Sequence, residues 1–161
     1  MNTNATFKKI IEALCLDPAQ VEALFQGSGL DLGQADIEDI LNARGGKPMP
    51  AYVLATFLNN LIAAKRGKKA DAAEQINKHQ KLTNNDVLKK LRIAFNLHEQ
   101  DVRDVLALAT IELTKSDLSA LFRKPDNTHY KVCDDELLAD FIEALGQWLR
   151  DRPAAENHNH G

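Results

Sequence analysis

The sequence predicts an all-α protein built from two homologous four-helix repeats packed together, and three observations carry that prediction. Apolar residues recur at i, i+3, i+4 and i+7 through most of the chain, which is the spacing of one helix face, and no run shows the sustained alternation of a half-buried strand. Helix-start signals punctuate the pattern. Shifting the chain by 81 residues then lays one half on the other.

Helices are expected near residues 4–15, 18–26, 34–43, 50–66, 84–96, 99–109, 115–124 and 134–150. The second opens at Asp17-Pro18-Ala19-Gln20, with an N-cap, a proline at the first helical position and a Gln three residues after the cap. Gln26-Gly-Ser-Gly-Leu30 ends it, since glycine takes the left-handed conformation that stops a helix. Pro50 suits a first helical turn. Thr83-Asn84-Asn85-Asp86 and Thr114-Lys115-Ser116-Asp117 are capping-box variants with Asp in place of Glu or Gln. Over 87–97, Val87, Leu88, Leu91, Ala94 and Phe95 share one face. Asp134 to Glu136 place negative charge at the start of the last helix, where the helix dipole favours it.

With the offset of 81, Asn4 aligns with Asn85, Lys8-Lys9 with Lys89-Lys90, Ala13 with Ala94, Leu16 with Leu97, Val21 with Val102 and Asp36 with Asp117. Apolar type is also kept, as in Phe7 with Leu88, Ile10 with Leu91 and Ile40 with Leu121. After a three-residue insertion the offset becomes 84, and Leu54, Phe57 and Leu61 align with Leu138, Phe141 and Leu145. The expected organisation is a first repeat over 1–67, a polar linker over 68–83, a second repeat over 84–151 and a disordered tail over 152–161. The core is expected to include Phe7, Ile10, Leu14, Leu24, Phe57, Leu61, Leu88, Leu91, Phe95, Leu121, Phe141 and Leu145.

The 161 residues are 44% hydrophobic and 27% charged, the composition of an ordinary globular chain, long enough to bury a sizeable core. Net charge is −3: residues 1–70 carry eight Lys/Arg against seven Asp/Glu, and residues 85–161 ten against fourteen. That balance does not announce a nucleic-acid binder, although a local basic face is compatible with it. Cys15 and Cys133 show no CxxC spacing, so reduced thiols in a cytoplasmic protein are expected. No window reaches the length of an apolar membrane span, and the N-terminal residues lack the apolar run of a signal peptide.

At Asn84-Asn-Asp-Val-Leu-Lys-Lys-Leu-Arg-Ile-Ala-Phe-Asn-Leu97 and Phe57-Leu-Asn-Asn-Leu-Ile-Ala-Ala-Lys-Arg-Gly67 the sequence resembles a bacterial family of uncharacterised proteins, the YehS-like family, over about residues 4–150. Members look like two copies of one domain of unknown function, which the resemblance implies here too. They carry a cysteine just before the last helix of each repeat; Cys133 matches it in the second repeat, and Met49 stands at the position in the first. The resemblance implies no substrate, cofactor or partner.

Catalytic apparatus is not legible: P-loop, HExxH, GxSxG and GxGxxG patterns are all missing, so no catalytic residue, cofactor or metal is expected and the chain reads as a non-enzyme. His129 and Cys133 with Asp134-Asp135-Glu136 mix soft and hard ligand types, but a metal site needs three or four convergent ligands, and the acidic run reads as a helix start. Those acids oppose a thiolate at Cys133, which reads as a structural cysteine, and Cys15 reads as core. Asp36, Glu38 and Asp39, and Asp101 with Asp104, read as solvated faces. The expected function is a cytosolic interaction or regulatory module with a protein partner and no membrane. The alternative is nucleic-acid binding through Lys8, Lys9, Lys65, Arg66, Lys89, Lys90 and Arg92, which fall at or near matching places in the two repeats or close the first. Asp101 to Lys124 also admits a helix-turn-helix reading with Lys115, Ser116, Ser119 and Arg123 exposed.

Overall fold

The fold was obtained as a computed structural model, which describes residues 2–30, 32–42, 48–67, 79 and 81–152. The parts of the expected linker over 68–78 and 80, and of the expected tail over 153–161, lie outside the described residues, as does Ala43 of the third expected helix. Among the described residues there are eight helices and no strand: α1 (Thr3–Leu14), α2 (Pro18–Phe25), α3 (Gln34–Asn42), α4 (Ala51–Lys65), α5 (Asn84–Ala94), α6 (Glu99–Leu108), α7 (Lys115–Leu121) and α8 (Asp135–Arg150).

Local chemistry sets each start. The Asn2 side chain accepts from Ala5 N at 2.7 Å, and Thr83 and Asp86 close a reciprocal capping box at 3.1 and 2.9 Å. Asp17 and Gln20 do the same at 2.8 and 2.9 Å, and Asp101 accepts from His98 N at 2.8 Å. Gly33 N donates to Asp36 at 3.1 Å, while Thr114 accepts from Asp117 N at 3.0 Å. Each of these pairs of starts is 81 residues apart. The last helices start 84 residues apart, α4 after Pro50, which serves as N-cap with φ −63° rather than as the first helical residue, and α8 after Asp134, which accepts from Leu137 N at 2.7 Å.

Helix ends match as well. Cys15 (φ 55°) and Asn96 (φ 51°) both take the left-handed conformation, and each is followed by a leucine whose N–H reaches back to Ile11 O (3.1 Å) or Arg92 O (2.9 Å). This corrects the expectation that Cys15 is core: the left-handed turn carries it out of the apolar face, and it is exposed. Gly29 (φ 85°) and Thr110 (φ 58°) form the corresponding pair after α2 and α6.

Helices α1, α4, α5 and α8 form a closed ring, α1 touching α4 and α8, and α5 touching the same two. Helix α2 packs on α4, with α3 against α1 and α2, and α6 packs on α8. Lys9 meets Glu143 and Ala13 meets Gly146, so α1 and α8 run in the same direction; Lys90 meets Asn59 and Lys65 meets Phe95, so α4 and α5 do too. The first helix of each half therefore lies beside the last helix of the other.

One apolar cluster runs through both halves. Phe7, Phe25 and Phe57 meet in the first half with centroids 5.0 to 6.3 Å apart, an arrangement that adds about 0.5–1.5 kcal/mol per pair beyond burial. Leu88, Leu106 and Phe141 hold the matching places in the second and are buried. Nine of the twelve expected core residues are buried. Leu14, Leu24 and Phe95 are instead half-buried, packed against the rim of the cluster. Phe95 falls at the C-cap of α5, where the helix surface opens, and carries the Lys65 ammonium 5.6 Å from its ring centroid.

Candidate functional site

Asn84 and Asn85 converge on the approach to α8. Asn85, buried, donates to Leu121 O (3.0 Å) and Lys131 O (2.8 Å) and accepts from Cys133 N (2.9 Å), so its carboxamide ties the end of α7 to the segment that leads into α8. Asn84 donates to Cys133 O (3.0 Å) and to the Asp135 carboxylate (2.8 Å). Asn4 repeats the pattern, donating to Ile40 O at 3.2 Å and accepting from Met49 N at 2.7 Å. A buried amide left unpaired costs about 1–3 kcal/mol, which accounts for asparagine at both positions.

Cys133 sits inside this clamp at 1% exposure. Burial, followed by the charges of Asp134 and Asp135, pushes its thiol up to about 12. The sulfur is thus held as a thiol, a weak nucleophile and a poor metal ligand. His129 is exposed on the preceding loop, where its N–H donates to Asn127 Oδ1 at 2.8 Å. Among the described residues, no group of three His, Cys, Asp or Glu converges as metal ligands would. The acidic pairs do local work: Asp36 and Asp101 cap helices, and Asp104 accepts from Gln100 at 2.8 Å.

Over residues 84–150 the chain matches the model of a family described as protein of unknown function, DUF1456. Through this segment the chain resembles the YehS-like DUF1456 family. It is also 37% identical over 101 residues to Uncharacterized protein YehS of Escherichia coli (strain K12), an alignment covering 63% of this chain and 64% of that protein. The chain thus spans a little under two thirds of the curated relative it matches. No solved structure matches. The DUF1456 segment contains the whole Asn84–Asn85–Cys133 clamp. Its first distinctive stretch is therefore accounted for by folding chemistry.

The seven cations singled out from the sequence go to four places. Lys9 pairs with Glu143 at 3.7 Å, and Lys90 donates to Asn59 Oδ1 at 2.6 Å. These are corresponding contacts, since 9 and 90 differ by 81, and 59 and 143 by 84. Lys65 and Arg66 close α4, where cations offset the negative end of the helix dipole. Arg92 turns the other way on α5: its Nε donates to Leu97 O at 3.0 Å and its guanidinium lies 4.5 Å from the Phe122 ring centroid. Lys8 and Lys89 are exposed. Lys115, Ser116, Ser119 and Arg123 are exposed on and just after α7.

One grouping was not legible in the sequence. Arg92 and Arg123 line a single groove with Glu99, Leu118, Ser119 and Phe122. On α5, Lys89 lies one turn beyond Asn85, which binds Leu121 O and Lys131 O, and three residues before Arg92, which covers Phe122. Arg92 and Arg123 therefore meet across this groove, and the backbone of Lys131 lies against the end of α7, where its N–H donates to Ala120 O at 3.1 Å. The signal that would have found them is the Asn85 clamp, which brings 131 back to α5.

Among the described residues no helix is long and apolar enough to cross a membrane.

Proposed function

We infer that this protein is a non-enzymatic interaction or regulatory module of the cytosol, made of two copies of one four-helix unit, whose activity lies in its surface. The state of Cys133 carries this reading: the best-placed nucleophile is buried, protonated and enclosed by residues that secure the chain, so its role is packing. Matching caps, left-handed helix ends and asparagine clamps at offsets of 81 and 84 support the two-copy organisation. The residues holding the halves together do so with ordinary packing and surface pairs.

Alkylation with iodoacetamide at neutral pH, read by peptide mass, tests it. Cys15 is modified and Cys133 stays unmodified until the protein is unfolded. A folded protein whose Cys133 reacts as fast as a free thiol, or one that turns over a substrate and loses that turnover on a single substitution without unfolding, sinks the reading.

A further inference from the structure

Resting on the reading of a regulatory module that transforms nothing, we propose that the groove where α5, α6 and α7 meet binds a small zwitterion of the class of a free α-amino acid. Its walls are Arg92, Glu99, Leu118, Ser119, Phe122 and Arg123, around a cavity of about 240 Å³. Sites for drug-sized ligands run to roughly 300–1,000 Å³, so this one suits a smaller molecule.

Arg92 is set in place before any ligand arrives. Its Nε donates to Leu97 O at 3.0 Å and its guanidinium lies 4.5 Å from the Phe122 ring centroid. Among the described residues its terminal nitrogens meet no acceptor, and the side chains of Glu99, Ser119 and Arg123 have no hydrogen-bond or ion-pair partner. Glu99 thus shares the groove with two guanidiniums and pairs with neither. Paired guanidinium N–H groups match the two oxygens of a carboxylate. The Glu99 carboxylate matches an ammonium and opposes a dianion such as phosphate. Leu118 is 1% exposed and Arg92 covers part of Phe122, so the apolar wall is small and fits a short aliphatic side chain.

Folding does not call for these groups. At the corresponding places 81 residues earlier stand Ile11, Pro18, Ile37, Glu38, Leu41 and Asn42, so two cations and one anion give way to a single anion at another position. Ile11 is buried and Leu41 packs against the core, yet α1 ends as α5 does, with Leu16 N on Ile11 O as Leu97 N is on Arg92 O. The same helix end forms without Arg92, Glu99 or Arg123.

The test is an NMR titration of the isotope-labelled full chain with each protein amino acid in turn, raised to about 10 mM, which fills most of a site of about 1 mM Kd. Aliphatic amino acids should shift the Arg92 Nε–H and the Ser119 and Phe122 amides saturably. Arg92→Ile, copying the first half, should weaken binding about 100-fold and the exposed Arg123→Ala about tenfold, the range for lost charge-assisted hydrogen bonds. Arg123→Ala serves alone if Arg92→Ile melts early. Capping the ammonium as the N-acetyl derivative should cost about tenfold in the wild type and nothing more in Glu99→Gln, because both changes remove the same pair. No saturable shift from any amino acid, equal binding of acetate or inorganic phosphate, or unchanged binding by Arg123→Ala and Glu99→Gln overturns the proposal. An N-acetyl derivative that binds as tightly as the free amino acid overturns it too, and hands the groove to peptide C-termini. Those failures leave the non-enzymatic reading standing, because that reading falls to turnover and to a reactive Cys133 instead.

Discussion

The two seams that join the halves, α1 against α8 and α4 against α5, occupy corresponding places and are built differently. At the first seam the chains approach closely. A Cβ on Gly146 would lie 2.5 Å from Ala13 O and 3.0 Å from Ala13 C, so glycine is what admits the end of α1. Arg150 then reaches past it to donate to Ala13 O at 3.0 Å, satisfying a carbonyl that the helix leaves open. At the second seam Ile62 stands where Gly146 would be, half-buried against the core, and Lys65 covers Phe95. One seam closes backbone to side chain with a charged cap, and the other closes side chain to side chain. The lesson is that corresponding packing positions tolerate a glycine or an isoleucine as long as each neighbour adjusts, so helix order is kept while contact chemistry drifts.

Substitutions that make one seam or one half resemble the other sharpen this comparison. Gly146→Ala should be the most damaging, about 3 kcal/mol, because the obstacle is backbone rather than a movable side chain. Ile62→Ala at the corresponding place should cost about 1–2 kcal/mol as a half-buried truncation. Denaturant unfolding that ranks the two in the opposite order would break the proposed asymmetry.

Next come the two clamps. Asn85→Ala strands Cys133 N and frees two carbonyls, and should cost about 2–3 kcal/mol. Asn4→Ala, at a half-buried position, should cost less in the same thermal melts.

The thiols of the two halves differ too, since Met49 stands where Cys133 does. The folded thiol titrates near 12 against 9.0 for an unperturbed one, so the folded state holds its proton more tightly than the unfolded state. Its stabilising contribution is complete below pH 9 and declines as pH rises toward 12. Stability should fall by about 1 kcal/mol per pH unit in that window. Cys133→Ala should flatten the decline, measured as denaturant midpoint against pH.

Smaller again is the turn after α6. Thr110 is β-branched at φ 58°, where the first half has Gly29 at φ 85°. Thr110→Gly should stabilise by about 0.5 kcal/mol, the relief of left-handed strain less the added entropy of glycine, and a lower melting temperature would refute this. The smallest effect belongs to Glu143, 77% exposed opposite Lys9. Glu143→Asn, copying Asn59 of the other seam, should change stability by less than about 0.5 kcal/mol at low salt and not at all at high salt.

Much of the fold is legible in the amino-acid sequence. All eight helix starts fall within one residue of their expected positions, because caps such as Asp17, Thr83 and Thr114 act within four residues. Cys15 departs from its expected burial because helical spacing places residue 15 on the apolar face, whereas the helix has already ended in a left-handed turn. Phe95 is less buried than expected for a related reason: it holds the right phase, but at a C-cap where few neighbours cover it. The cationic set is legible in part. Lys8 and Lys89 are exposed, whereas Lys9 and Lys90 serve the seams, a use that spacing along a helix does not reveal.

The sequence by itself determined the helices, their starts and most of the faces they bury, since each depends on contacts within a few residues or on a pattern repeated along the chain. Tertiary structure alone decided that the first helix of each half lies beside the last helix of the other, that Gly146 must lack a side chain, and that Lys131 returns to the side of Asn85. Amphipathic spacing states which face leaves water, and only the packed chain states what that face meets.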